Sequence, residues 1–270
     1  MSKTFISHDK PFLFFTSPLF DSFGVPHAFT AKLGGVSSGC FSSLNFAHYA
    51  GETKDDPENI YKNYLLAASL LGKTPEETCL TFQLHTDEIV VAELYHKGIG
   101  ITKPPFGRGV DGLITREDMV ISVRVADCVP VLLYDKKTNT AAALHSGWRG
   151  TQKGISEKAA GIMTGMGADP AEIIAALGPS VKSCCFSVGE EFYGLFPDCG
   201  EAFVKTDGSV FFDIPKAIKK RLINAGLREE NIEICNLCTC CEEELFFSHR
   251  RQGVNRGAMA AFITPKSKQT

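Results

Sequence analysis

The sequence predicts a single, layered α/β (α+β) domain rather than a doubly wound fold. Three observations carry this expectation. Strand-like and helical runs are interleaved without a regular βαβ alternation. The chain has 270 residues, 44% hydrophobic and 22% charged, which is enough for a substantial core beneath a polar surface. No glycine-rich phosphate fingerprint lies between a strand and a helix; GRGVDG has neither element around it.

The elements follow in order. A first strand is expected near Pro26–Thr30, followed by the turn-rich segment LGGVSSGCFSSLN, whose glycines and serines oppose regular structure. A helix is expected over Pro57–Leu71. Asp56 caps it, Pro57 suits its first turn, Gly72 stops it, and Ile60, Tyr64, Leu65 and Ala68 form its apolar face. Strands are expected at Thr78–Phe82, Glu88–Leu94, Gly112–Thr115, Val120–Val125, Val129–Tyr134 and Thr140–Leu144. One helix should span Thr151–Met166, and a strand Ile173–Leu177 leads into GPS. Helical patterns return at Glu190–Phe196 and Pro215–Ala225, and strands at Asn231–Asn236 and Met259–Ile263. Residues 1–25 read as an N-terminal extension packed on a domain that spans 26–265.

The formal net charge of −3 provides no electrostatic footprint for DNA, RNA or an anionic membrane. No stretch has the apolar length needed to cross a bilayer. The start, MSKTFISHDKPFLFF, lacks the tripartite order of a signal peptide, so a cytoplasmic protein is expected. In that setting the ten cysteines are expected to be free thiols. Two clusters stand out, Cys184-Cys185 and Cys238, Cys240, Cys241. They read first as structural thiols, because no second CxxC or HxxxH accompanies CTCC; a metal or redox role is the alternative.

One segment yields geometry from pattern alone. In ADCVPVLLYDKKTNTAAALHSGWRG, two apolar runs flank the polar stretch DKKTNT, which is a β-hairpin pattern. A turn centred on Lys136–Lys137 sets Asp135 against Thr138 and Cys128 against His145, on one face with Cβ atoms about 4.5–5.5 Å apart. A turn centred on Thr138–Asn139 shifts the register but keeps the two on diagonal positions; an odd slip separates them. A thiol and an imidazole so placed could share a metal ion, or could be a buried thiol beside a hydrogen-bonded histidine. A third ligand is needed. His85, in FQLHTDEI, is available, but nothing in its spacing demands that it meet Cys128.

From about Pro26 to Ile263 the chain resembles a bacterial family of purine nucleoside phosphorylases and adenosine deaminases. That family was formerly described as polyphenol oxidases with a laccase domain, and also as peptidoglycan editing factors. The matching pieces are FTAKLGGVSSGCFSSLNF, DPENIYKNYLLAASLLG, FQLHTDEIV, DGLIT, ADCVPVLLYD, AALHSGWRGT, LGPSVKSCCFSVGEEF, FFSHRRQG and AMAAFI. ADCVP followed by HSGWRGT, with QLHTD upstream, is the specific signature. The resemblance implies a sandwich of mixed β-sheets flanked by helices. It implies metal ligation by His85, Cys128 and His145, with Zn2+ as the metal and copper as the alternative. It implies phosphorolysis of adenosine, inosine or methylthioadenosine and hydrolytic deamination of adenosine, so that purine nucleosides and phosphate are the expected partners.

These residue types suit that chemistry. One thiolate and two imidazoles leave a tetrahedral position open on zinc, as catalytic sites do. Deamination also needs a proton carrier, for which Asp87 and Asp127 are the candidates because each lies beside a ligand or its loop. Phosphorolysis needs fixed cations. Arg149, at the mouth of the helix expected near Thr151, is the first candidate, with Arg250, Arg251 and Lys32 behind it. Ser43 and Asn45 are candidates for ribose or base contact; otherwise they stabilise turns. Trp148 is expected to pack beneath the motif. Lys32, Ser187 and the ending GVNRGAMAAF depart from the family pattern in ways that bear on substrate preference. Two rival enzyme readings remain: a cysteine hydrolase or amidase acting on peptidoglycan precursors through Cys128 and His145, and a copper-dependent polyphenol oxidase. With seven histidines and no HxH cluster, a single mononuclear site is all the sequence supports for the latter.

Overall fold

A computed structural model describes residues 5–267. Its two principal sheets are each six-stranded and mixed. The first runs, from edge to edge, Ile6–His8, Phe14–Thr16, His27–Thr30, Met259–Ile263, Val120–Val125 and Thr78–Leu80. The second runs Ile232–Ile234, Ile174–Leu177, Val129–Asp135, Thr140–Ser146, Gly112–Thr115 and Ile89–Val91. Three strand pairs are parallel: Thr78–Leu80 with Val120–Val125, Ile174–Leu177 with Ile232–Ile234, and Ile89–Val91 with Gly112–Thr115. The rest are antiparallel.

Alternation along the strands explains the layering. Leu132, Tyr134, Ala141 and Ala143 of the second sheet meet Ile121, Val123, Met259 and Ala261 of the first in one core between the sheets. Their immediate neighbours point the other way. Val131, Leu133, Ala142 and Leu144 face the helices Ile155–Gly165 and Ile214–Asn224 through Ala159, Met163, Ile218 and Leu222. Val120, Ala260 and Phe262 face the helix Pro57–Ser69 through Ile60, Tyr64 and Ala67. The result is a helix–sheet–sheet–helix sandwich whose central strands are buried on both faces. Removing a large side chain from such a core, as in Phe262→Ala, costs about 3–5 kcal/mol. Among the described residues no helix is long and apolar enough to cross a membrane.

Most expected elements are present with shorter ends. The helix Pro57–Ser69 has its Asp56 cap, whose carboxylate accepts from the Glu58 N–H, and its Pro57 first turn. The expected helix over Thr151–Met166 is instead two helices, Trp148–Gln152 and Ile155–Gly165, because Gly154 takes a left-handed conformation between them. The hairpin Phe203–Thr206/Ser209–Phe212 escaped the sequence reading although its turn, Asp207-Gly208, is the type that hairpins favour. The segment before Pro26 supplies the strands Ile6–His8 and Phe14–Thr16 of the first sheet and the short helix Pro18–Ser22.

The central hairpin forms, with a different register from the one first expected. Asp135 pairs with Thr140 and Pro130 with His145. The turn is longer because the buried Asp135 carboxylate accepts from both the N–H and the hydroxyl of Thr138, and Asn139 closes it at φ 51°. The slip is an even one, so Cys128 and His145 remain neighbours.

Candidate metal centre

Three chain segments converge at one end of the sandwich. Cys128 ends the loop that links the two sheets, His145 lies near the end of its strand, and His85 sits in the loop after Thr78–Leu80. Their ligand atoms all lie within 4.8 Å of one another. Cys128 Sγ is 3.8 Å from His85 Nε2, and the two imidazole rings stand nearly edge to face with centroids 4.9 Å apart.

Asp111, the first residue of DGLIT and without a role assigned from sequence, organises this arrangement. It is fully buried. Its Oδ1 accepts from His145 Nδ1 at 2.8 Å and from the His85 N–H at 3.1 Å. Its Oδ2 accepts from the N–H groups of Leu84 and Thr86 and from the Thr86 hydroxyl. Three successive N–H groups thus wrap one carboxylate, and this holds His85 at φ 57°, a backbone region unusual for a non-glycine residue. Gln83 completes the anchorage by exchanging two bonds with the main chain of Arg124.

Electrostatics follow from these contacts. Burial alone would raise the Asp111 carboxyl, but the His145 hydrogen bond and charge, with the Thr86 donors, hold it down at about 2. Burial would likewise raise the Cys128 thiol; His145 and His85 outweigh it and bring the thiol down to about 6. Burial would lower His145, yet Cys128 and Asp111 lift it to about 9. The thiolate is the form that ligates metals.

The residues fit a metal ion. Around one tetrahedral ion, a thiolate and an imidazole at their usual bond lengths stand about 3.5 Å apart, close to the separation found. With its Nδ1 donating to Asp111, His145 presents Nε2 as the ligating atom. The neighbouring position must be glycine, since a Cβ on Gly147 would lie 2.8 Å from Cys128 Sγ and 3.2 Å from His85 Cδ2.

The cluster opens into a cavity of about 820 Å³. Four arginines line it: Arg124, Arg149, Arg250 and Arg256. Arg149 lies over the Trp148 ring at 4.2 Å, Arg250 over Phe186 at 5.0 Å, and the buried Arg256 Nε has no protein partner. Val125, Ala126 and Ala258 supply an apolar wall, and Tyr49 and His249 also border the space.

The other expected site residues lie elsewhere or are otherwise engaged. Asp87 pairs with Lys158 at 3.2 Å and does not line the cavity. Asp127 lines it, but its two oxygens accept from the Thr239 hydroxyl and the Arg250 N–H, with its own backbone at φ 87°. Ser43 and Asn45 stabilise turns. Ser43 Oγ takes the N–H groups of Gly34 and Gly35, and Asn45 is bonded on both amide atoms to Ala47, Asp55 and Ala258. Lys32 is outside the cavity lining, its main chain tied to Leu245 and the Ser43 turn. Arg251 is outside it too and donates to the carbonyls of Thr239, Cys240 and Phe246. Arg149 falls within the first turn of a five-residue helix that starts at Trp148, rather than at the mouth of a longer one. Trp148 packs on Phe192 at 5.3 Å and also borders the cavity. Arg124 carries no periodic or motif signal, being an isolated arginine within a strand, and Arg256 shows in the sequence only as part of the divergent ending GVNRGAMAAF, with no role attached.

Residues 26–266 match the family described as multi-copper polyphenol oxidoreductase laccase. A purine nucleoside phosphorylase of Bacteroides thetaiotaomicron is 31% identical over 267 residues, covering 96% of this chain and 97% of that relative. An adenosine deaminase from an unknown prokaryotic organism is 32% identical over 239 residues, covering 85% of this chain and 90% of its own. Among solved structures, YlmD from Geobacillus stearothermophilus superposes with a TM-score of 0.87 at 29% identity, covering 97% of this chain and all of that one.

Proposed function

The chain belongs to the multi-copper polyphenol oxidoreductase laccase family, and on that premise we propose that it is a zinc-dependent purine nucleoside enzyme. It catalyses phosphorolysis of nucleosides such as adenosine, inosine or methylthioadenosine, and hydrolytic deamination of adenosine. One observation carries this reading: a three-ligand cluster lies at a cavity that four arginines and an apolar wall also border.

His85, Cys128 and His145 would hold the zinc ion, which would supply Lewis acidity there. The chain's own residues do the rest. Asp111 keeps the proton on His145 Nδ1 and fixes the His85 loop. The apolar wall of Val125, Ala126 and Ala258 takes the purine. The arginines hold hydrogen phosphate, whose oxygen bonds to ribose C1′ as the bond from C1′ to the purine nitrogen breaks, and the proton that the phosphate gives up ends on that nitrogen. Asp127 acts as a positioning residue that ties the Cys128 turn to Arg250 and Thr239. Multi-copper phenol oxidation needs several copper sites, and among the described residues His85 and His145 are the histidines that join a metal-type cluster, which leaves one mononuclear centre at the cavity.

Incubation of the protein with adenosine tests this reading. With phosphate, adenine and ribose 1-phosphate are expected; inosine is expected with or without it. No product under either condition removes the nucleoside-enzyme reading.

A second reading has its own observation. Asp111, His145 and Cys128 stand in the order of a carboxylate–imidazole–thiol triad, as a cysteine hydrolase acting on peptidoglycan precursors would require. The approach of His85 to the same sulfur favours the metal.

A further inference from the structure

A second cluster of ligand atoms lies apart from the cavity's three. Cys184, Cys185, Cys238 and Cys241 bring their sulfurs within 4.8 Å of one another. Cys241 Sγ is 3.5 Å from Cys184 Sγ and 3.3 Å from Cys185 Sγ. The topology explains the meeting. Ile174–Leu177 and Ile232–Ile234 are parallel neighbours, so the loops that leave their C-terminal ends run side by side. Ser180 bridges Cys238 there, and the Thr239 N–H reaches the Ser180 carbonyl. The first loop carries Cys184-Cys185 and the second carries Cys238-Thr239-Cys240-Cys241, a CxxC pair. An adjacent pair facing a CxxC pair is not a ribbon spacing, so no sequence motif marks the meeting.

We propose that these four cysteines bind one zinc ion as a closed tetrathiolate site. Sulfurs around a tetrahedral zinc stand about 3.8 Å apart, given bonds of about 2.3 Å. Four sulfurs gathered this closely match that figure better than a disulfide, which would draw two together and leave two aside. Lys182, in the first of these loops, donates from its ammonium to Ser180 Oγ at 3.1 Å. All four positions would be filled by protein, so the site is structural. It staples the loop bearing Phe186, which lies under Arg250, to the loop bearing Thr239, which holds Asp127. The ion thereby braces one wall of the cavity without touching its contents.

The test uses the full chain, purified with reductant and zinc but no chelator, with metal counted by mass spectrometry. About two zinc ions per chain are expected, one per cluster. Cys184→Ser/Cys241→Ser should lose one of them and melt at lower temperature, while His145→Ala should lose the other. Cobalt loading supplies a readout independent of whether the cysteine variant folds. His145→Ala should still show the intense sulfur-to-cobalt absorption of a tetrathiolate. A His145→Ala protein that takes up neither zinc nor cobalt and leaves all ten thiols titratable overturns the proposal. So does a bond between Cys241 and Cys184 or Cys185 in peptide maps of the reduced-buffer protein. A failure confined to the His85, Cys128 and His145 cluster would leave the tetrathiolate signals in place, so the two sites are judged separately.

Discussion

His145 Nδ1 donates to Asp111 Oδ1 at 2.8 Å, and the same carboxylate gathers the N–H groups of Leu84, His85 and Thr86. One buried acid therefore aims two of the three cavity ligands. Asp111→Asn should keep the fold but weaken zinc binding about 10–100-fold, the usual cost of losing such a support. Competition against a chromogenic chelator measures it, and wild-type affinity in the variant would show that the ligands are held by other means.

Gly147 has an ordinary φ of −75°, so its backbone would accept alanine. The added methyl would press on Cys128 Sγ and His85 Cδ2. Gly147→Ala is expected to lose the cavity metal while circular dichroism remains that of the native chain. Full zinc retention at this cluster would contradict the packing described.

The two arginines Arg256 and Arg251 should respond differently. Arg256 lines the cavity with an unpartnered Nε, so Arg256→Met should raise KM for phosphate about 10–100-fold, corresponding to a lost charged hydrogen bond of about 1.5–3 kcal/mol. Arg251 ties three carbonyls together outside the cavity. Arg251→Met should lower the melting temperature and leave that KM unchanged. Steady-state kinetics at varied phosphate separates the two.

Metal shields a coordinated thiolate, and a triad leaves it open. Iodoacetamide should therefore spare Cys128 in zinc-loaded protein and label it after chelator treatment, as read by peptide mass spectrometry. Immediate labelling of the zinc-loaded protein, with hydrolysis of a peptidoglycan precursor, would favour the hydrolase reading.

His27 gives the fold a pH dependence of its own. It is buried, accepts from the Ser17 N–H at Nε2 and contacts the Val25 carbonyl through Nδ1, which defines a neutral ring. Burial lowers its pKa below 6.5, against the Val25 carbonyl and Asp21. As pH drops below 6.5, the unfolded chain takes up a proton that the folded one refuses, so stability present at neutral pH is lost towards the lowered folded value. Melting temperatures should fall from about pH 7.5 to about pH 5.5, with a shallower slope in His27→Gln. Equal slopes would assign the acid loss to other groups.

Much of the fold was legible in the chain because it is written locally. Short unbroken apolar runs, VPVLLY and AAALH, marked strands on either side of a polar turn, and Asp56 and Pro57 marked a helix start, since turn chemistry and capping depend on near neighbours. The break at Gly154 and the hairpin at Asp207-Gly208 were equally local signals that went unread. Register was less legible. Whether Cys128 stood opposite His145 depended on how the Asp135 carboxylate and the left-handed Asn139 closed one turn.

By itself, the sequence determined the kinds of most elements and a short roster of thiols, imidazoles and arginines suited to metal and phosphate. Tertiary structure alone decided which of these meet. Asp111 reaches the His85 loop because its strand, Gly112–Thr115, pairs in parallel with Ile89–Val91 and antiparallel with the strand of His145. The four cysteines meet because two parallel strands end side by side. Such meetings are set by strand pairing between residues far apart along the chain, where sequence spacing carries no distance information.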